Sequence, residues 1–215
     1  MKTLLIGSGI NQVKSVKEKC TAIDISQKYL DAARRFRPKN IYVKADVQNM
    51  PFKNNFFDKI IFTHVLEHVG NPIKAISEIR RVMKIGGELD LQIPAKEMED
   101  FLSKNNSIFK KYIKEGFHKT HYDLELLNKQ ITGFSKVKIK IVKGKYIVFW
   151  YLWGKFIKLF NLHKEFYIEE CGQINTKKYN KLTRQLSRLI FIFNIILSPF
   201  LFRKINCEYH VIAVK

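Results

Sequence analysis

The chain reads as an α/β fold with a doubly wound, mostly parallel sheet, and three observations lead there. Short apolar runs of strand length alternate with helix-length stretches through residues 2–94. Strands separated by helices call for crossover connections, and these make a parallel sheet with helices on both faces. Gly7, Asp24, Asp46 and Thr63 then fall at the carboxyl ends of successive strands, where open α/β sheets bind their ligands.

Taken in order, strands are expected at Thr3–Ile6, Thr21–Ile25, Ile41–Lys44, Lys59–Thr63 and Glu88–Ile93. Between them, Ser26–Phe36 opens on a serine suited to an N-cap. Residues 72–83 follow the Asn71-Pro72 pair and place Ile73, Ile76, Ile79, Val82 and Met83 on one helical face. Gly86-Gly87 turns the chain into the next strand. Residues 95–117 read as helical and would cap the site. A helix within 121–134 ends at Gly133, KVKIKIV at 136–142 alternates as a strand, and Cys207–Lys215 closes the sheet.

At 215 residues the chain holds one sizeable core and a modest appendage. Nothing at the start resembles a signal peptide. Cys20, Cys171 and Cys207 are odd in number and widely spaced, which points to a reducing, cytoplasmic setting instead of a disulfide frame. The formal net charge is +20, yet 31 of the 39 basic residues are lysine and they are scattered from Lys2 to Lys215. Guanidinium is the better phosphate-recognition group, so this profile argues against a nucleic-acid partner. A basic face near anionic membrane lipids suits it better.

That reading draws on residues 147–205, an apolar insertion before the last strand containing IVFWYLWGKFIKLF and LIFIFNIILSPFLF. The second run has fourteen residues between Arg188 and Arg203 and is interrupted by Asn194 and Pro199. Spanning a bilayer takes about 20 residues, so a re-entrant, interfacial or buried helix is expected. Two accounts stand side by side. The helices pack on each other as a subdomain, or Trp150, Tyr151 and Trp153 sit at headgroup level with Lys155, Lys158, Arg188, Arg203 and Lys204 facing lipid.

Gly7-Ser8-Gly9 after the first strand allows close backbone approach to a ligand, although two glycines in a turn are also simply a turn. Asp24 can accept both hydroxyls of a ribose, with Ile23 and Ile25 flanking it. The alternative is an acid at a helix N-terminus, and the spacing with the flanking isoleucines favours the ribose role. Asp46 is a turn residue or a ligand contact on the same grounds. His118 and His121 form a pair, but no Cys or His spacing supplies the further ligands of a metal site, and none is expected.

The ordered set LLIGSG at 4–9, AIDIS at 22–26 and ADVQNMPFKNNFFDKIIFTHVLEHVGNPIKAISEIRRVMKIGGELDLQIP at 45–94 resembles class I S-adenosylmethionine-dependent methyltransferases of the type 11 group. The likeness covers about 3–95 well and 115–146 loosely. At two places of the family pattern, an acid and a further glycine, this chain has Leu5 and Asn11. The resemblance implies a Rossmann-like seven-stranded sheet, one domain over 1–215, and S-adenosyl-L-methionine as donor. Gly7, Ser8, Gly9, Asp24, Ile25, Asp46, Val47 and Thr63 would hold that cofactor. His64, in the HVLEH string, is the expected proton acceptor on the substrate side, with Glu67 and His68 behind it. His118 is a further acceptor-side candidate, and His121 would start the late helix. The methyl acceptor expected is a small molecule or a membrane-associated lipid or glycan, with the enzyme cytoplasmic or peripheral at the membrane. Two rivals stay open: a related protein that binds without catalysis, favoured by Leu5 and Asn11, and a nucleic-acid methyltransferase. The second lacks the (N/D/S)-P-P-(Y/F/W) string and the Pro-Cys nucleophile of base-modifying enzymes.

Overall fold

The structure, a computed structural model, describes residues 1–105, 107–143 and 204–215. Seven strands form one sheet in the order β3-β2-β1-β4-β5-β7-β6. They are β1 (Thr3–Ile6), β2 (Thr21–Asp24), β3 (Ile41–Lys44), β4 (Phe57–Thr63), β5 (Met83–Pro94), β6 (Ser135–Lys143) and β7 (Asn206–Val214). The helices are α1 (Ile10–Ser15), α2 (Gln27–Phe36), α3 (Pro72–Val82), α4 (Lys96–Asn105), α5 (Ser107–Lys114) and α6 (Leu124–Gln130). A 3-10 turn covers Leu66–His68.

β1 pairs in parallel with both β2 and β4, and β2 with β3, so the strand order reverses on either side of β1. Such a reversal opens a crevice at the carboxyl ends of the strands. β7 runs against this set. Gly86 N donates to Lys215 O at 3.0 Å, and Lys215 N to Gly87 O at 3.1 Å, so the end of β7 meets the start of β5. The fold is the mixed, mostly parallel α/β sheet expected from the sequence.

The described chain divides into two compact units. The first comprises Met1–Ile93, Tyr122–Lys140 and Tyr209–Lys215. Its central strands bury apolar side chains on both faces: Leu4, Leu5, Ile60 and Phe62 are fully buried. α2 buries Tyr29, Leu30 and Ala33, and α3 buries Ala75, Ile76, Ile79 and Val82. The second unit takes Pro94–His121 with residues from Ile141–Glu208. There α4 packs on α5, and Leu102, Phe109 and Tyr112 are buried.

Several local expectations change. Ile73 is 69% exposed, one turn too early to reach the sheet, and Met83 belongs to β5 instead of the helix. β5 starts before Gly86-Gly87, and its register against β4 shifts between the Phe57↔Met83 and Lys59↔Glu88 pairs. The two glycines, with φ +76° at Gly86, therefore lie in an irregularity within one strand. Ser26 holds the N-cap position of α2 without a side-chain cap bond. Residues 147–203 of the apolar insertion, with its Trp and Arg residues, lie outside the described residues. Among the described residues, no helix is long and apolar enough to cross a membrane.

Candidate active site

The loops at the strand ends, from Gly7 to His68, belong to the first unit. β1 ends at Ile6, and Gly7 turns the chain with φ +79°. A Cβ on Gly7 would stand 2.3 Å from Val65 Cγ2, so both backbone conformation and space select glycine there. Gly9 is the N-cap residue of α1, which is only six residues long. The short interval between Gly7 and Asp24 leaves room for no more.

Asp24 closes β2 and is half-buried. Its Oδ2 accepts from Ser8 N at 2.9 Å, and its Oδ1 accepts from Ser26 N at 2.9 Å. The carboxylate thus ties the β1 loop to the start of α2; Oδ2 also accepts from Ser8 Oγ at 3.4 Å, so acceptor capacity for a ligand hydroxyl lies chiefly on Oδ1. Burial pushes the Asp24 carboxyl above its ordinary value, although hydrogen bonds from Ser26, Ser8 and Ile25 pull the other way. Ile25 follows with 69% exposure, a bare apolar side chain beside a charged one. Asp24 braces the N-cap residue Ser26 of α2 and stands at the carboxyl end of its strand.

Asp46 follows β3. Its carboxylate accepts from Gln48 N at 2.8 Å and from Gln48 Nε2, so it closes a local turn. Gln48 Oε1 accepts in turn from Asn71 N at 3.0 Å, which links this turn to the cap of α3. Val47 is buried beside it. The next residues are held from below by α3. Arg81 donates to Met50 O, Phe52 O and Asn54 Oδ1, and forms a two-pronged pair with Glu78 at 2.7 and 2.8 Å. Glu78 Oε2 also accepts from Met50 N. The Arg81 guanidinium, with the Met50 amide, holds the Glu78 carboxyl below its usual value. The sequence reading missed this clamp because its partners are about thirty residues apart.

Thr63 ends β4 opposite Gln92 of β5. His64 takes φ +51°, with its N–H donating to Gln92 O at 2.8 Å, and its side chain is 43% exposed. Glu67 is 2% exposed and its Oε1 lies 3.7 Å from His64 Nδ1. The cap of α3 is Asn71, whose Oδ1 accepts from Lys74 N, so Glu67 and His68 are not its caps. α6 likewise begins at Leu124 with Asp123 as cap, and His121 lies ahead of it.

In the second unit, His118 and His121 meet Glu99 of α4, a residue the sequence reading did not single out. Helix periodicity alone gives Glu99 no sign of a role.

Residues 4–90 match the family model described as a methyltransferase domain. Those residues are similar to that domain and make up under half of the chain. The chain is 31% identical over 142 residues to an uncharacterized protein of Methanocaldococcus jannaschii, covering 60% of this chain and 57% of that protein. It is 37% identical over 68 residues to the demethylmenaquinone methyltransferase of Renibacterium salmoninarum, covering 32% and 29% of the two. The chain thus spans little more than half of the first of these relatives. The phosphoethanolamine N-methyltransferase 2 of Haemonchus contortus, solved in complex with S-adenosyl-L-methionine, shares the fold with a TM-score of 0.59. There the identity is 17%, with 100% of this chain and 48% of that chain covered. Against the family pattern, Leu5 is fully buried among Val13, Val16, Cys20, Ala22 and Ala33. An acid there would sit unpaired in apolar surroundings, so the departure has a packing reason.

Proposed function

We propose that the protein transfers a methyl group from S-adenosyl-L-methionine to a small-molecule acceptor, in the narrower case a membrane-associated lipid or glycan. The observation that carries this reading is the Asp24 carboxylate, half-buried at the end of β2 and fixed by the Ser8 and Ser26 amides. The two hydroxyls of a ribose would take the acceptor capacity of Oδ1 and displace the long 3.4 Å contact of Ser8 Oγ at Oδ2. Gly7, Ser8 and Gly9 supply a backbone turn beside it, Ile25 an exposed apolar wall, and Asp46, Val47 and Thr63 the neighbouring strand ends. The relatives named for demethylmenaquinone and phosphoethanolamine support a small acceptor.

When bound, the cofactor supplies a methyl group on a sulfonium, open to in-line displacement. The chain's part is then to orient donor and acceptor and to handle one proton. His64 takes that proton from an acceptor hydroxyl or amine. Glu67, buried and 3.7 Å from His64 Nδ1, stabilises the imidazolium that results. The phenotype to test is label transfer. Protein incubated with methyl-labelled S-adenosylmethionine and a panel of polar metabolites, quinones and lipid extracts should label one chemical class. Labelling only of added RNA or DNA would overturn the small-acceptor reading.

A further inference from the structure

The Glu99 carboxylate is 2% exposed, and each of its oxygens faces an imidazole of the same structural unit. Oε1 meets Nδ1 of His118, and Oε2 meets Nδ1 of His121 at 2.5 Å. One ligand atom from each of the three residues lies within 4.8 Å of the other two. We propose that Glu99, His118 and His121 form a binding site for one divalent cation of the zinc class, independent of the methyl-transfer reading.

The donor set decides the metal. Two imidazole nitrogens and one carboxylate suit zinc and its late first-row neighbours, whereas magnesium and calcium favour oxygen ligands. Burial argues the same way. A carboxylate removed from water needs a compensating positive charge, and the ion pairs of Glu99 among the described residues are both to histidines. A cation shared by the three groups supplies that charge.

The surroundings hold the ligands in place. Glu99 sits in the first turn of α4, with its N–H donating to Ala95 O. The His118 ring, 9% exposed, meets Tyr112 edge-on at 5.1 Å. Tyr112 is itself stacked on Phe117 at 4.8 Å with an interplanar angle of 3°. His121 is 37% exposed and gives the site its side open to water. Around a tetrahedral zinc at about 2.0–2.1 Å, ligand atoms stand roughly 3.3 Å apart, so side-chain shifts on the order of 1 Å open the group for the ion. Three protein ligands leave a fourth position for water.

The test uses the full chain, stripped with a chelator and titrated with Zn²⁺ by calorimetry and with Co²⁺ by visible absorption. One equivalent should bind, and the cobalt form should show ligand-field bands without a thiolate charge-transfer band. His121→Ala, at the most exposed of the three ligands, should weaken binding at least about tenfold while the far-UV spectrum is kept. Glu99→Gln should do the same where it folds. Absence of saturable binding, wild-type affinity in His121→Ala, or a thiolate band pointing to cysteine ligands would each overturn the site.

Discussion

Val65 Cγ2 occupies the space a Gly7 side chain would need, 2.3 Å from the position of its Cβ. The loop after β1 and the loop after β4 therefore interlock across the point where the strand order reverses. Gly7→Ala meets two costs there. The positive φ disfavours an L-residue by about 1–2 kcal/mol, and the stiff valine cannot rotate away freely. A total loss of roughly 2–4 kcal/mol is expected in urea unfolding. Adding Val65→Ala should recover the steric share and leave the backbone share, giving non-additive behaviour.

Arg81 anchors the segment that follows Val47. Arg81→Met removes donors to three loop oxygens and to Glu78, and should cost about 1–3 kcal/mol. It should also change the acid limb of stability. Glu78 has its folded value lowered, first by the hydrogen bond from Arg81. Its stabilising share is therefore present above the ordinary glutamate value and lost as pH falls through the lowered one. Without Arg81 the folded and unfolded values draw together, so most of that share is missing at neutral pH and the acid limb flattens. Unfolding curves of both proteins from acid to neutral pH measure the difference.

Much of the sheet was legible in sequence because its strands are short, apolar and bounded by turn residues. β1 and β3 begin and end where the pattern places them. Ile73 was misplaced because helical spacing cannot tell which apolar residue lies too near the helix start to reach the core. Gly86-Gly87 looked like a turn because glycine pairs mark turns and strand irregularities alike. The placement of Gly7, Asp24 and Thr63 at strand ends was readable residue by residue, because each closes or follows a short apolar run. Tertiary pairings were not. Glu99 reaches the two histidines across α5, and Arg81 reaches Met50 across a whole strand, and neither has a short-range signature.

His64 combines a candidate chemical role with a backbone cost. A non-glycine residue at φ +51° is disfavoured, so His64→Gly should leave stability unchanged or raise it by about 1 kcal/mol. Affinity for S-adenosylhomocysteine should stay within a few-fold of wild type. Label transfer to the acceptor, once found, should fall about 100-fold. A variant that keeps full transfer would remove His64 from the chemistry.

In the proposed function, the half-buried Asp24 carboxylate holds the ribose of an adenosyl cofactor. Calorimetric titration with S-adenosylhomocysteine of the wild-type chain beside Asp24→Asn tests it directly. Asparagine keeps the size of the side chain and one oxygen for the Ser8 or Ser26 amide, so the variant should fold with only a modest loss of stability. The wild type should show saturable one-site binding, and the variant an affinity at least about tenfold weaker, as expected for lost hydrogen bonds to a charged group. A folded wild-type protein that binds nothing, or a variant that binds equally well, would contradict it.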